Sequence, residues 1–151
     1  MPITWYRMIA TFFFAGFAPK APGTAGTIAA LPLYLVLRRL SLPWYLFSVA
    51  LLAVLGTAAA QKMEDLWGKD PSQVVIDEVV GLLITLVTRP KSWRAILMGT
   101  VIFRLFDIIK PAPIGYVDKN VPGGFGIMAD DMLAGVFSAC IIALAQREKA
   151  S

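Results

Sequence analysis

Five carboxylates sit where an apolar chain should not carry them. Asp77 and Glu78 interrupt "VVIDEVVGLLITLV" (74–87), Asp107 lies in "FRLFDIIKPAPI" (103–114), and Asp130 and Asp131 lie in "GGFGIMADDMLAG" (123–135). Asp70 and Asp118 fall in the adjoining polar stretches. Gathered together and unpaired, so many like charges would repel, and a bound divalent cation removes the conflict. Carboxylate oxygens are hard ligands that suit Mg²⁺, Mn²⁺ or Ca²⁺, whereas zinc prefers His or Cys. The chain has no histidine and a single cysteine, Cys140. Residues adjacent on a helix diverge by about 100°. One member of each acidic pair can therefore ligate a metal while the other orients a ligand or binds a second ion.

Cations complete the set. Arg104, Asp107 and Lys110 recur at i, i+3 and i+6 and share one helical face. Lys20 lies in "PKAPGTAGT" (19–27), where Gly23 and Thr24 lead into a helix. Free N–H groups at a helix start, with a lysine and threonine hydroxyls nearby, suit a phosphate. "PGGFGIMADD" repeats the theme with Gly123, Gly124 and Gly126. Each feature alone has a plainer reading: a turn with an N-cap, a buried Arg–Asp pair, or acids favoured by the helix dipole. Capping accounts for one acidic pair; it does not account for three segments that each bring acids, with Lys and Arg beside them. Without histidine there is no phosphohistidine and no Ser-His-Asp triad, and Cys140 in "SACIIALA" has no basic neighbour to activate it. What remains is carboxylate and metal chemistry, in which a metal polarises a phosphoryl group and a bound water while Lys and Arg stabilise its oxygens. A direct aspartyl nucleophile is the other form it can take.

The elements that must position these groups are apolar. Of 151 residues, 58% are hydrophobic and 16% charged, with mean hydropathy +0.69, whereas a soluble domain is nearer 45–50% and about 25%. Residues 40–61 carry no charge, enough to cross a hydrocarbon core of roughly 30 Å at about 1.5 Å per residue. The uncharged runs 21–37 and 132–146 are shorter. The net charge of +4 reads as loop charge beside anionic lipid and not as a nucleic-acid footprint. The lone cysteine forms no internal disulfide, and the start of the chain shows no cleavage site of a signal peptide. Pro, Gly and Arg/Lys breaks divide the chain into segments at roughly 3–17, 24–38, 42–62, 74–88, 93–110 and 127–146. Backbone in lipid must bond internally, so these are expected to be helices. The expectation is one all-α domain over 1–151, a polytopic membrane bundle of about five apolar helices plus an N-terminal helix. If the segments alternate in direction, "APKAPGT", the stretch 63–73 and the stretch 111–126 share one side, and every unusual polar residue meets at that end. Gly81 and Gly135, one turn beyond Asp77 and Asp131, are placed for close helix approach.

Four of these stretches, "PKAPGTAGT", "DPSQVVIDEVVG", "FRLFDIIKPAPI" and "GGFGIMADDMLAG", resemble the phosphatidylglycerophosphatase A family, in that family's order and over residues 16–136. The resemblance implies a membrane-embedded, Mg²⁺-dependent lipid phosphatase. It would convert phosphatidylglycerophosphate to phosphatidylglycerol and phosphate in cardiolipin-precursor synthesis. Carried over by position, the family's acidic residues fall on Asp70, Asp77, Glu78, Asp107, Asp130 and Asp131, and its basic one on Lys110. The expected metal set is Asp70, Asp77, Glu78, Asp130 and Asp131, with Glu78 or Asp107 aligning water. The expected phosphate-binding set is Lys20, Gly23, Thr24, Arg104, Lys110 and Gly124. The partners expected are the phospholipid substrate and the bilayer, with no nucleic acid.

Two other classes compete. A small cation or proton transporter would also use intramembrane carboxylates, but would distribute them across the membrane's depth. A scaffold subunit would use them as structural ion pairs. The expected location is the plasma (inner) membrane, multi-pass. The far end carries Arg38, Arg39, Arg89, Lys91, Arg94, Arg147 and Lys149, and the positive-inside rule would put that end in the cytoplasm. The resemblance points the other way, because the substrate is made on the cytoplasmic leaflet, and a cytoplasmic active face is the expectation adopted.

Overall fold

The computed structural model describes residues 2–151. Among them there is no strand, and seven α-helices follow in order. These are α1 (Trp5–Ala10), α2 (Pro22–Leu37), α3 (Leu42–Trp67), α4 (Ile76–Thr85), α5 (Trp93–Ile109), α6 (Ile114–Asn120) and α7 (Gly123–Ala150). Proline and backbone reversal set the boundaries. Pro22 occupies the first turn of α2 and Pro43 that of α3, where the missing N–H costs nothing. Lys110 takes a left-handed conformation at the end of α5, directly before Pro111.

The centre of the bundle is α4. Eight of its ten residues are buried, and α2, α3, α5 and α7 all pack against it. At ten residues it is about 15 Å long, too short to cross a hydrocarbon core of roughly 30 Å, and its neighbours enclose it. Its closest partner is α7. A Cβ on Gly81 would stand 2.5 Å from the Phe103 ring and 2.8 Å from the carbonyl oxygen of Asp131, and one on Gly135 would stand 2.5 Å from the carbonyl oxygen of Gly81. Only bare backbone permits this approach, which carries the acid-bearing turns of α4 and α7 to the same place. At the opposite end, the buried Tyr45 hydroxyl donates to the Leu83 carbonyl at 2.6 Å and the Tyr34 hydroxyl to that of Pro90 at 2.7 Å. The Arg89 guanidinium there donates to the Leu40 carbonyl at 2.7 Å. The loops 38–41 and 86–92 therefore meet, as the alternating directions require.

Two helices, α3 and α7, are long and apolar enough to cross a membrane. The expected count of about five is not reached. Breakers hold α2 to 16 residues, α4 to 10 and α5 to 17. The N-terminal segment also differs from a helix over 3–17. α1 stops at Ala10, and Phe12, Phe13 and Phe14 take successive positive φ angles of 45°, 52° and 71°. Six residues of helix reach about 9 Å, and α1 packs along α3 instead. Its end braces the core, since the Val75 N–H donates to the Ala10 carbonyl at 2.8 Å, one residue before α4 begins. The outer side of α3 presents Trp44, Phe47, Leu51 and Val54 to the surroundings. An apolar stripe of this kind, on a helix whose most apolar window is only 22% buried, suits contact with lipid.

Candidate active site

The polar residues converge on one cavity of about 450 Å³ at a single end of the bundle. The N-terminus of α2 brings Gly23, the loop after α3 brings Asp70, and the first turn of α4 brings Asp77 and Glu78. The last turns of α5 bring Arg104 and Asp107, the residue that caps it brings Lys110, and α7 brings Asp130 and Asp131. The side chains form two carboxylate groups. One oxygen each from Asp77, Glu78 and Asp131 lie within 4.8 Å of one another, and so do oxygens of Asp107, Asp130 and Asp131. Asp131 belongs to both. Neighbouring acids that diverge at their Cα atoms thus send oxygens back to a shared point: Asp77 and Glu78 enter the same group, as do Asp130 and Asp131.

Burial raises the stakes. Asp131 is 1% exposed, Asp130 5%, Asp107 8% and Asp77 9%. Buried polar atoms are nearly always hydrogen-bonded. Yet Asp77 Oδ1, Glu78 Oε2 and Asp131 Oδ2 have no partner in the protein. These three orphaned oxygens belong to the three residues of the first carboxylate group. Eight carboxylates and three cations (Lys69, Arg104 and Lys110) line the cavity, which leaves the centre short of positive charge. A hard divalent cation fits this donor set on both counts.

Two of these cations are tied in from α5. Arg104 bonds Asp107 through Nη1, which also lies 3.8 Å from Glu78 Oε1, and its Nη2 donates to Thr24 Oγ1 at 3.4 Å. Lys110 Nζ donates to Asp130 Oδ2 at 2.6 Å and Asp107 Oδ1 at 3.4 Å, and lies 3.7 Å from Asp118 Oδ1. Burial opposes the Lys110 charge. The hydrogen bond that Lys110 donates to Asp130, with the charges of Asp130, Asp107 and Asp131, outweighs it and raises the pKa above the ordinary lysine value. Burial, followed by the charge of Asp118, pushes the Asp70 carboxyl above the usual carboxylate range.

Not every expected residue joins the centre. Asp70 lines the cavity but stands outside both carboxylate groups, and its N–H faces Glu64 Oε1 at 3.4 Å. Lys20 is exposed and does not line the cavity. Thr24 engages Arg104 from the side and lines a neighbouring groove. The Gly124 N–H, expected to be free for phosphate, is taken by Gln61 Oε1 at 2.8 Å. Gly23 fits closely: a Cβ there would collide with Glu78 Oε1 and stand 3.2 Å from Arg104 Nη2. Three contributors escaped the sequence reading: Gln61 and Glu64 on the last turns of α3, and the helix α6 that sets Asp118 against Lys110. Gln61 and Glu64 recur at i and i+3 beside the acidic loop, which was the available signal. α6 sits between prolines and glycines and gave none.

The fold and site define a class: a membrane-type helical protein with an acid-lined, cation-bridged cavity at one end. The chain belongs to the phosphatidylglycerophosphatase A family, whose model matches residues 8–146. It is 40% identical over 143 residues to phosphatidylglycerophosphatase A of Escherichia coli, covering 91% of this chain and 81% of that one. It is 38% identical over 139 residues to phosphatidylglycerophosphatase A of Haemophilus influenzae, covering 90% and 85%. A Bacteroides thetaiotaomicron protein provisionally named a phosphatidylinositol-3-phosphatase is 42% identical over 147 residues, covering 92% of each chain. No solved structure matches at a significant level. The protein is thus an enzyme of the phosphoric monoester hydrolase class, and the family expected from its four motifs is the one found.

Proposed function

We propose that this protein is an Mg²⁺-dependent phosphatidylglycerophosphatase that releases phosphatidylglycerol and inorganic phosphate, a step towards cardiolipin. The observation that carries the reading is the pair of carboxylate groups sharing Asp131, with three buried oxygens left without a protein partner. Asp77, Glu78 and Asp131 would hold one Mg²⁺, and Asp107, Asp130 and Asp131 offer a second position. When bound, the metal supplies charge to the phosphoryl oxygens and makes water more acidic. Arg104 and Lys110 face the remaining anionic oxygens of the phosphate. Glu78 or Asp107 accepts a proton from the attacking water as its oxygen bonds phosphorus. The bond from phosphorus to the glycerol oxygen breaks, and the same carboxyl returns its proton to that oxygen, which leaves as a hydroxyl.

The relatives named above differ in headgroup, but each name describes a phosphomonoester on a phospholipid. The carboxylates gather at one end instead of lining the membrane's depth, which favours hydrolysis over a cation path. The bundle is read as multi-pass in the inner membrane, with the cavity on the cytoplasmic side. Purified protein in detergent, given Mg²⁺ and phosphatidylglycerophosphate, should release phosphate faster than from phosphatidylinositol-3-phosphate. No release from the first substrate rejects the reading, and a preference for the second reassigns the headgroup.

A further inference from the structure

Beside the acidic cavity runs a second, apolar one. It has a volume of about 630 Å³ and lies between α2 and α5, which both pack on α4 and scarcely touch each other. Its α2 wall is a single stripe, Thr24, Ile28, Leu31 and Leu35, at i, i+4, i+7 and i+11. The α5 wall runs antiparallel from Arg104 back through Val101 and Leu97 to Trp93. From Thr24 to Leu35 the groove is about 16 Å long, close to half of a roughly 30 Å hydrocarbon core, which is the depth of one leaflet.

The groove joins the acidic site. Arg104 and Ile108 line both cavities. At that junction the Arg104 guanidinium reaches Asp107 and Glu78 on the polar side and Thr24 Oγ1 on the groove side. A molecule with a phosphate at the acidic end and a hydrocarbon chain attached would meet polar groups first and then an uninterrupted apolar channel. Ile28, Leu97 and Val101 are 58%, 54% and 50% exposed, so the groove is open along its length to the bilayer and needs no entry from water.

The geometry points to the α2–α5 groove as the seat of one acyl chain of the lipid phosphomonoester, with Arg104 at the junction of headgroup and tail. The inference rests on the phosphatase reading and extends it: the substrate enters sideways from the leaflet, and chain length becomes a determinant of turnover.

The test fills the groove. Leu35→Trp and Leu97→Trp, at about 10–16 Å from the junction and beyond the reach of a six-carbon chain, are compared with Val54→Trp on the outer face of α3, in nanodiscs, with a long-chain and a dihexanoyl phosphatidylglycerophosphate. The groove variants should lower kcat/KM for the long-chain substrate by roughly tenfold or more, the size of discrimination an apolar pocket achieves. They should leave the dihexanoyl substrate unchanged, and Val54→Trp should change neither. Equal loss on both substrates, or none, overturns the proposal. A second measurement is independent of turnover. A phosphatidic acid with a diazirine midway along one acyl chain is photolysed with the wild-type protein, and its adducts are mapped. Adducts concentrated on Ile28, Leu97 and Val101 support the seat. Adducts spread equally over Phe47 and Leu51 of α3 indicate bulk lipid and overturn it. Groove labelling without phosphate release rejects the phosphatase and keeps the tail site. Release indifferent to both groove variants rejects the tail site and keeps the phosphatase.

Discussion

Lys110 Nζ lies 2.6 Å from Asp130 Oδ2, joining the end of α5 to the first turns of α7 across twenty residues of chain. The same ammonium reaches Asp107 and faces Asp118, so one lysine holds acids of three helices around the cavity. Lys110→Met should lower kcat/KM by about 10²–10³-fold, the scale for losing a donor aimed at developing charge. Lys110→Arg should recover only part, because a planar fork does not match three separately placed carboxylates. Phosphate release with a thermal melt of each variant checks this.

Asp131 is the acid common to both carboxylate groups, and its Oδ2 has no partner. Asp131→Asn should cut turnover by at least about 10²-fold while the melting temperature holds or rises, since the amide removes a buried charge at no loss of volume. Retained activity would remove Asp131 from the centre.

Metal binding should be visible without catalysis. Mg²⁺ should stabilise the wild-type protein over an EDTA control by about 2.7 kcal/mol at a hundredfold excess over Kd, read as a rise in melting temperature. The increment should vanish in Asp77→Asn and Asp131→Asn. An equal Mg²⁺ shift in these variants would place the ion elsewhere.

The α4–α7 contact should be intolerant of any side chain at Gly81. A methyl there meets the Phe103 ring at 2.5 Å and the Asp131 carbonyl oxygen at 2.8 Å. Gly81→Ala should therefore destabilise by about 1–3 kcal/mol and lower activity by displacing Asp131. Phe103→Leu added to Gly81→Ala should restore part of the stability, as coupled neighbours do, and chemical denaturation of the four proteins measures it.

The exposed Lys119 in α6 lies on the cavity side of the bundle. With Cys140 replaced by Ser, Lys119→Cys should react with a membrane-impermeant maleimide only when the cytoplasmic face is opened. Labelling of intact spheroplasts would invert the topology and favour the positive-inside count.

The sequence by itself determined the acids, their types and their places relative to the breakers. From Asp77-Glu78, Asp107 and Asp130-Asp131, with alternating segment directions, the convergence at one end was legible, because the breakers that end a segment and reverse the chain are local signals. Gly81 and Gly135 were legible as contact points for the same reason. Tertiary structure alone decided how the oxygens group. That Asp131 is shared, that Gln61 occupies the Gly124 N–H, and that Lys20 stands outside depend on distances between helices separated by tens of residues, set by packing and by bare backbone at Gly81. It also decided which apolar segments are long helices. Hydropathy over 74–88 or 3–17 does not distinguish a short helix sheltered by neighbours from one that faces lipid. The packing of four helices around α4, and the left-handed turn at Phe12–Phe14, are long-range and backbone outcomes that composition does not encode.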